Sequence, residues 1–196
     1  MPDILLTALR DLARNIGGDL TWFADRMDGL PRNPDARANP QPVCAKLDAT
    51  CTGGTALTTP VRDALLRTKG DLPWTQSYDE GERFDRHYLD NYSMVNVISP
   101  EGLYVSNDMR VSFGYWGPGL RYPLHAHEPE EWYVFLTGSC DLTSEGNGTQ
   151  HFAAGTFKHH NPWQKHAAVM GPDGLLAAAF WRGSGLMDIS RFFDGL

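Results

Sequence analysis

The chain has 196 residues, enough for one well-buried core plus an extension. Its 17 basic and 24 acidic side chains leave a formal charge of −7, and no basic run is interleaved with aromatics, so nucleic acid is not an expected partner. Three irregularly spaced cysteines, Cys44, Cys51 and Cys140, argue against a disulfide framework or a cysteine-based zinc site, and no stretch reaches the roughly 18 apolar residues of a membrane span.

In chain order, Leu5, Leu9, Leu12 and Ile16 recur at helical spacing, and Gly17-Gly18 closes that helix. A second helix is predicted through Leu20, Phe23, Ala24 and Met27, up to Gly29-Leu30-Pro31. The proline-rich segment 31–42 reads as a loop, and helical pieces follow at 43–50 and 60–69, the latter with Pro60 in its first turn. From Met94 the texture changes to short runs rich in Val, Phe, Tyr and Thr. The predicted strands are 94–99, 103–116, 120–127, 131–144, 149–159, 166–170 and 175–182, an all-β barrel or sandwich pattern. The chain therefore divides into a helical extension or cap at 1–70 and a β-barrel domain at 71–196. The helical part is too short to bury a core of its own, so it is expected to pack on the barrel or to form a dimer contact, leaving monomer or homodimer open. The N-terminus carries no basic region followed by a long apolar stretch, so the protein reads as cytoplasmic.

The chemistry concentrates in Gly119–Gly138, whose skeleton is G-x5-H-x-H-x3-E-x6-G with His125, His127 and Glu131, and His166 follows downstream. Three imidazoles and a carboxylate suit a divalent metal such as zinc, iron or manganese. On a strand, residues two apart share a face, which groups His125 with His127, and Glu131 with Tyr133 and Phe135. His159 or His160 competes with His166 as the distal ligand, and the spacing from Gly155 favours His166. His87 and His151 belong to no constellation, and Cys140 reads as a buried strand thiol.

That skeleton is similar to the first signature motif of the cupin superfamily at every defining position. The second motif, G-x5-P-x-G-x2-H-x3-N, is half present: Gly155 and His166 are correctly separated, while Asn161, Trp163 and Met170 stand where proline, glycine and asparagine are expected. The resemblance covers residues 94–183 and implies a mainly β fold, a small barrel or jelly roll holding a metal inside, here with an N-terminal helical extension.

Tyr133 faces the same way as Glu131 and is either an aromatic filling the barrel or, beside a metal, a base able to take a carbon-bound proton. Trp116, Tyr122, Trp163 and Trp181 are further aromatics near the site in sequence, suited to holding a positively charged small ligand. Regular alternation points Tyr122 away from His125 unless Pro123 breaks it.

The combination His125-x-His127-x3-Glu131-x-Tyr133 with a distal His166 after a helical N-terminal region resembles the cupin-type dimethylsulfoniopropionate lyases of marine bacteria. The resemblance implies that His125, His127, Glu131 and His166 bind one divalent metal ion and that Tyr133 is the base. It places Tyr122 in the pocket and, less directly, Trp181; apart from the resemblance, Tyr122 is the second candidate base and Trp163 a further candidate for substrate contact by its place in sequence. The expected activity is β-elimination of dimethylsulfoniopropionate to acrylate and dimethyl sulfide. The alternatives are a non-haem iron dioxygenase using the same four ligands, or a cupin that binds a small molecule without turnover.

Overall fold

The computed structural model describes residues 3–195. Helix α1 (Asp3–Ile16) buries Leu5, Leu9, Leu12 and Ala13, and Gly17 and Gly18, at φ +77° and +56°, turn the chain out of it. Helix α2 (Leu20–Ala24) is shorter than its apolar pattern, but Met27 still reaches the core from the following turn. A 3₁₀ turn (Pro42–Ala45) leads into α3 (Leu47–Thr50), and α4 (Thr59–Thr68) opens with proline in its first turn, as expected. Helix α5 (Arg86–Leu89) was not legible in the sequence; Asp85 caps it, accepting from the Tyr88 amide at 2.7 Å. No helix among the described residues is long and apolar enough to cross a membrane.

The strands are β1 (Trp74–Thr75), β2 (Tyr92–Ser99), β3 (Tyr104–Val105), β4 (Met109–Trp116), β5 (Arg121–Ala126), β6 (Glu130–Ser144), β7 (Gly148–Ala153), β8 (Phe157–His160), β9 (His166–Arg182) and β10 (Arg191–Phe192). They form one curled, almost wholly antiparallel sheet built around the long β6–β9 pair, a cupin-type barrel with helices at its N-terminus. One end of β9 pairs with β5 and the other with β4. The Pro172-Asp173-Gly174 break that suggested two strands is instead a bend inside β9, because β6 runs beside both halves and keeps them paired. The bend needs glycine: a Cβ on Gly138 (φ +73°) would lie 1.9 Å from the Gly174 carbonyl oxygen. Conversely, 149–159 splits into β7 and β8 at Gly155 (φ +87°), and 103–116 splits into β3 and β4.

Alternation sorts the barrel into two faces. Val95, Val111, Phe113, Trp132, Val134, Leu176, Ala178 and Phe180 point outward and share one apolar core with Leu5, Leu9, Phe23 and Leu65 of the helices. Their neighbours Met94, Tyr133, Phe135, Ala177, Ala179 and Trp181 point inward and share a second core with Phe84, Tyr88 and Tyr92. The helices thus cover the outside of the sheet. The barrel interior is closed by other segments, the stretch around Tyr78–Tyr92 and the C-terminal Leu186–Phe192.

Candidate metal centre

His125 and His166 lie directly opposite one another across β5 and β9. Within β6, Glu131 is flanked by His160 on β8 and by Trp181 on β9. The fold brings together His125, His127, Glu131 and His166, as strand parity suggested, and all are buried. One donor nitrogen from each of His125, His127 and His166 falls within 4.8 Å of the others. Glu131 Oε2 stands 3.2 Å from His127 Nε2 and 3.5 Å from His166 Nε2.

Each of these imidazoles is oriented by the same local device. Nδ1 of His125 lies 2.8 Å from the Pro123 carbonyl, Nδ1 of His127 lies 2.9 Å from that of Pro129, and Nδ1 of His166 lies 2.9 Å from that of Gln164. A carbonyl only accepts, so Nδ1 carries a proton in each, and Nε2 is the nitrogen turned toward the interior. Glu131 is held likewise, its Oε1 accepting from the Trp181 indole N–H at 2.6 Å, which leaves Oε2 to face the histidines. His166 Nε2 is buried without a hydrogen-bond partner. The oriented donors fall into two overlapping groups, His125 with His127 and His166, and Glu131 with His160 and His166, and the shared His166 nitrogen is otherwise orphaned, an arrangement that fits a divalent cation.

His160 adds a fifth group. It is buried, stacks on His166 with ring centroids 4.0 Å apart, and neither of its nitrogens has a partner. Its donor atom also falls within 4.8 Å of those of Glu131 and His166. The sequence set His160 and His166 as alternatives; the structure places both inside. His159, one residue away, points outward, stacking on Trp132 and meeting Glu130 at 2.8 Å.

Burial dominates the electrostatics. It holds the His125 imidazole well below its usual range, with the His166 charge adding to the effect, and lowers His160 to about 2. Burial would raise the Glu131 carboxyl, but His127 and His166 overcome it and hold the group well below the usual carboxylate range. Burial pushes Tyr133 well above 10, and the Glu131 charge pushes it further.

A consequence for stability follows. Below about pH 6.5 the unfolded chain protonates these histidines while the buried His125 and His160 resist it, so stability falls with falling pH. Metal-stripped protein is expected to lose up to about 1.4 kcal/mol per pH unit for each such group. Urea midpoints from pH 8 to 5 measure this, and a flat profile would contradict neutral buried imidazoles.

Beside the cluster lies a cavity of about 340 Å³, lined by Glu131 and Tyr133 together with Tyr78, Tyr92, Trp116 and Tyr122. The β5–β9 register slips between Tyr122 and His125, which resolves the alternation problem: Tyr122 turns inward and its ring centroid is 4.2 Å from that of His125. Its hydroxyl hydrogen-bonds that of Tyr78. The Tyr133 ring is 6.2 Å from that of His166. Trp181 stacks on His127 at 4.2 Å and also lines the cavity.

Trp163 is placed elsewhere, outside the cavity: it is 42% exposed, and its ring lies 4.7 Å from the Arg191 guanidinium. Its backbone explains why the cupin motif has glycine there, since φ is +60°. Its amide also donates to the His127 carbonyl at 2.8 Å, so the residue braces the ligand segment through its main chain.

Sequence reasoning missed Arg110, an inward-facing residue of β4 that lines the cavity, and Tyr78 and Tyr92, which come from a segment without a motif. The one charged residue in the mostly apolar run Met109–Trp116 was the available signal for Arg110.

Residues 20–177 match the family profile of the dimethylsulfoniopropionate lyases. A chain from the crystal structures of the DMSP lyases RdDddP and RnDddQII superimposes with a TM-score of 0.90 at 30% identity, covering 98% of this chain and 97% of that one. DMSP lyase DddQ from Ruegeria pomeroyi DSS-3 superimposes with a TM-score of 0.82 at 23% identity over 97% of this chain and 99% of its own, which speaks for the fold. No curated protein matches the chain. The family match spans most of the sequence, including β5 and β6 with their ligand residues, β8 and His166, and on that ground this chain belongs to the dimethylsulfoniopropionate lyase family.

Proposed function

We propose that the protein is a metal-dependent lyase that cleaves dimethylsulfoniopropionate to acrylate and dimethyl sulfide by base-initiated β-elimination. The observation that carries this reading is the convergence of three Nδ1-anchored imidazoles and Glu131 beside an aromatic-walled cavity, in a chain of this family. His125, His127, Glu131 and His166 would hold the ion, and their donor set suits zinc, iron or manganese. When bound, a divalent cation supplies Lewis acidity toward the substrate carboxylate and favours phenolate on a neighbouring tyrosine.

The chain's own groups do the rest. Tyr133, two residues from Glu131 on the same strand face, takes the proton from the carbon adjacent to the carboxylate. The C–H electron pair becomes the acrylate double bond, and the C–S bond breaks with its pair leaving on neutral dimethyl sulfide. The faces of Tyr78, Tyr92, Trp116 and Tyr122 supply the surface for the sulfonium, at about 0.5–2 kcal/mol per contact. Burial of the centre keeps water from competing for these groups.

Headspace chromatography of metal-loaded protein with dimethylsulfoniopropionate under nitrogen tests the reading. Dimethyl sulfide is expected from the loaded protein and not from the metal-stripped control. Because elimination consumes no oxygen, release under nitrogen also separates the lyase from a dioxygenase. No sulfide above the control would overturn the proposal.

A further inference from the structure

Arg110 is a buried cation without a carboxylate in direct contact, although the charge of Glu131 reaches it. It is 7% exposed, and among the described residues no carboxylate comes within ion-pair distance of its guanidinium. Its Nε donates to Asn96 Oδ1 at 2.9 Å and its Nη1 to the Leu186 carbonyl at 3.1 Å, while Nη2 meets only the Met94 sulfur at 3.4 Å. A guanidinium has five N–H groups, so three of them lack an oxygen acceptor. A structural arginine this deeply buried ordinarily finds a carboxylate or a full set of carbonyls.

Its place in the sheet says where those free donors lead. Arg110 pairs with Trp181 across β4–β9, Trp181 with Glu131 across β9–β6, and Glu131 with His160 across β6–β8. These four residues form one row of adjacent strands, with the guanidinium 4.5 Å from the centroid of the Trp181 ring. Arg110 and Glu131 line the same cavity, so a molecule beside the metal ligands shares that cavity with the guanidinium. Glu101 and Asp188 also line that cavity, but both are exposed and neither pairs with Arg110.

We propose that Arg110 is the anion subsite of this cavity and anchors the carboxylate of the substrate, an aliphatic β-substituted propionate. A divalent ion with Glu131 and three neutral imidazoles carries a net charge of +1, and Arg110 makes the buried region more positive still, so an anionic group is the occupant that balances it. The identity of the substrate rests on the lyase reading; the anion subsite does not.

The test uses full-length metal-stripped protein, so that the ion contributes nothing, titrated with propionate and with its neutral isostere propionamide by calorimetry. Wild type is expected to prefer propionate by about tenfold or more, and Arg110→Met to lose that preference. Arg110→Lys, which keeps the charge without the fork, is expected to retain part of it and carries the test if the methionine variant does not fold. In loaded protein, Arg110→Met is expected to raise KM more than it lowers kcat, a split that loss of packing alone does not produce. Equal binding of propionate and propionamide by wild type, or an undiminished preference in the variants, would overturn the proposal. If the anion preference holds but no dimethyl sulfide is released, the subsite stands and the lyase reading fails.

Discussion

Tyr133→Phe is expected to keep its fold and its metal and to lose about 100-fold or more of its dimethyl sulfide release, the magnitude for removal of a general base. The change deletes one oxygen and leaves the ring, which packs at 6.1 Å on Phe135 and 6.4 Å from Trp116. Each of the four oriented donors keeps an anchor apart from the hydroxyl, a backbone carbonyl for the histidines and Trp181 for Glu131. Metal content, thermal midpoint and initial rate of sulfide release, measured on the same preparation, separate chemistry from structure. Retention of more than about a tenth of the rate would move the base to Tyr122, whose ring is 4.2 Å from that of His125. Loss of metal in the variant would instead make Tyr133 a ligand.

His125→Ala is expected to lose both metal and activity. His125 is one of three imidazoles whose donor atoms fall within 4.8 Å of one another, and its Nδ1 bond to Pro123 leaves Nε2 no other use in the interior. Losing a ligand outright exceeds the roughly 10- to 100-fold drop in affinity typical of losing a supporting hydrogen bond. Chelator competition measures it directly. Added metal is also expected to raise the thermal midpoint of wild type and to leave that of the variant almost unmoved. Full metal occupancy in His125→Ala would relocate the ion to the neighbouring set of Glu131, His160 and His166.

The local part of this architecture was legible in the sequence because it depends on short-range periodicity. Leu5, Leu9 and Leu12 lie on one helical face whatever they pack against, and that face is buried. His125 and His127 share a face, as do Glu131 and Tyr133, because strand parity is a property of the backbone, and all four face the interior.

Tertiary pairing decided the rest. Parity does not say which strands become neighbours, nor at what height their side chains meet. The slip between Tyr122 and His125 turned Tyr122 inward. The β6–β8 register set His160 beside Glu131, so a residue that spacing treated as a substitute for His166 became its neighbour. Trp163 is close to the ligands in sequence yet faces solvent, because its left-handed backbone points the ring away from the barrel. Arg110 is fifteen residues from the first motif histidine and reaches the cavity only because β9 lies between β4 and β6. Three of the ligands, His125, His127 and Glu131, were readable because they fall within seven residues, and His166 because its distance from Gly155 is a motif spacing; the walls and the charge of the cavity come from strands and closing segments distant in sequence, brought together only by the register of the curled sheet.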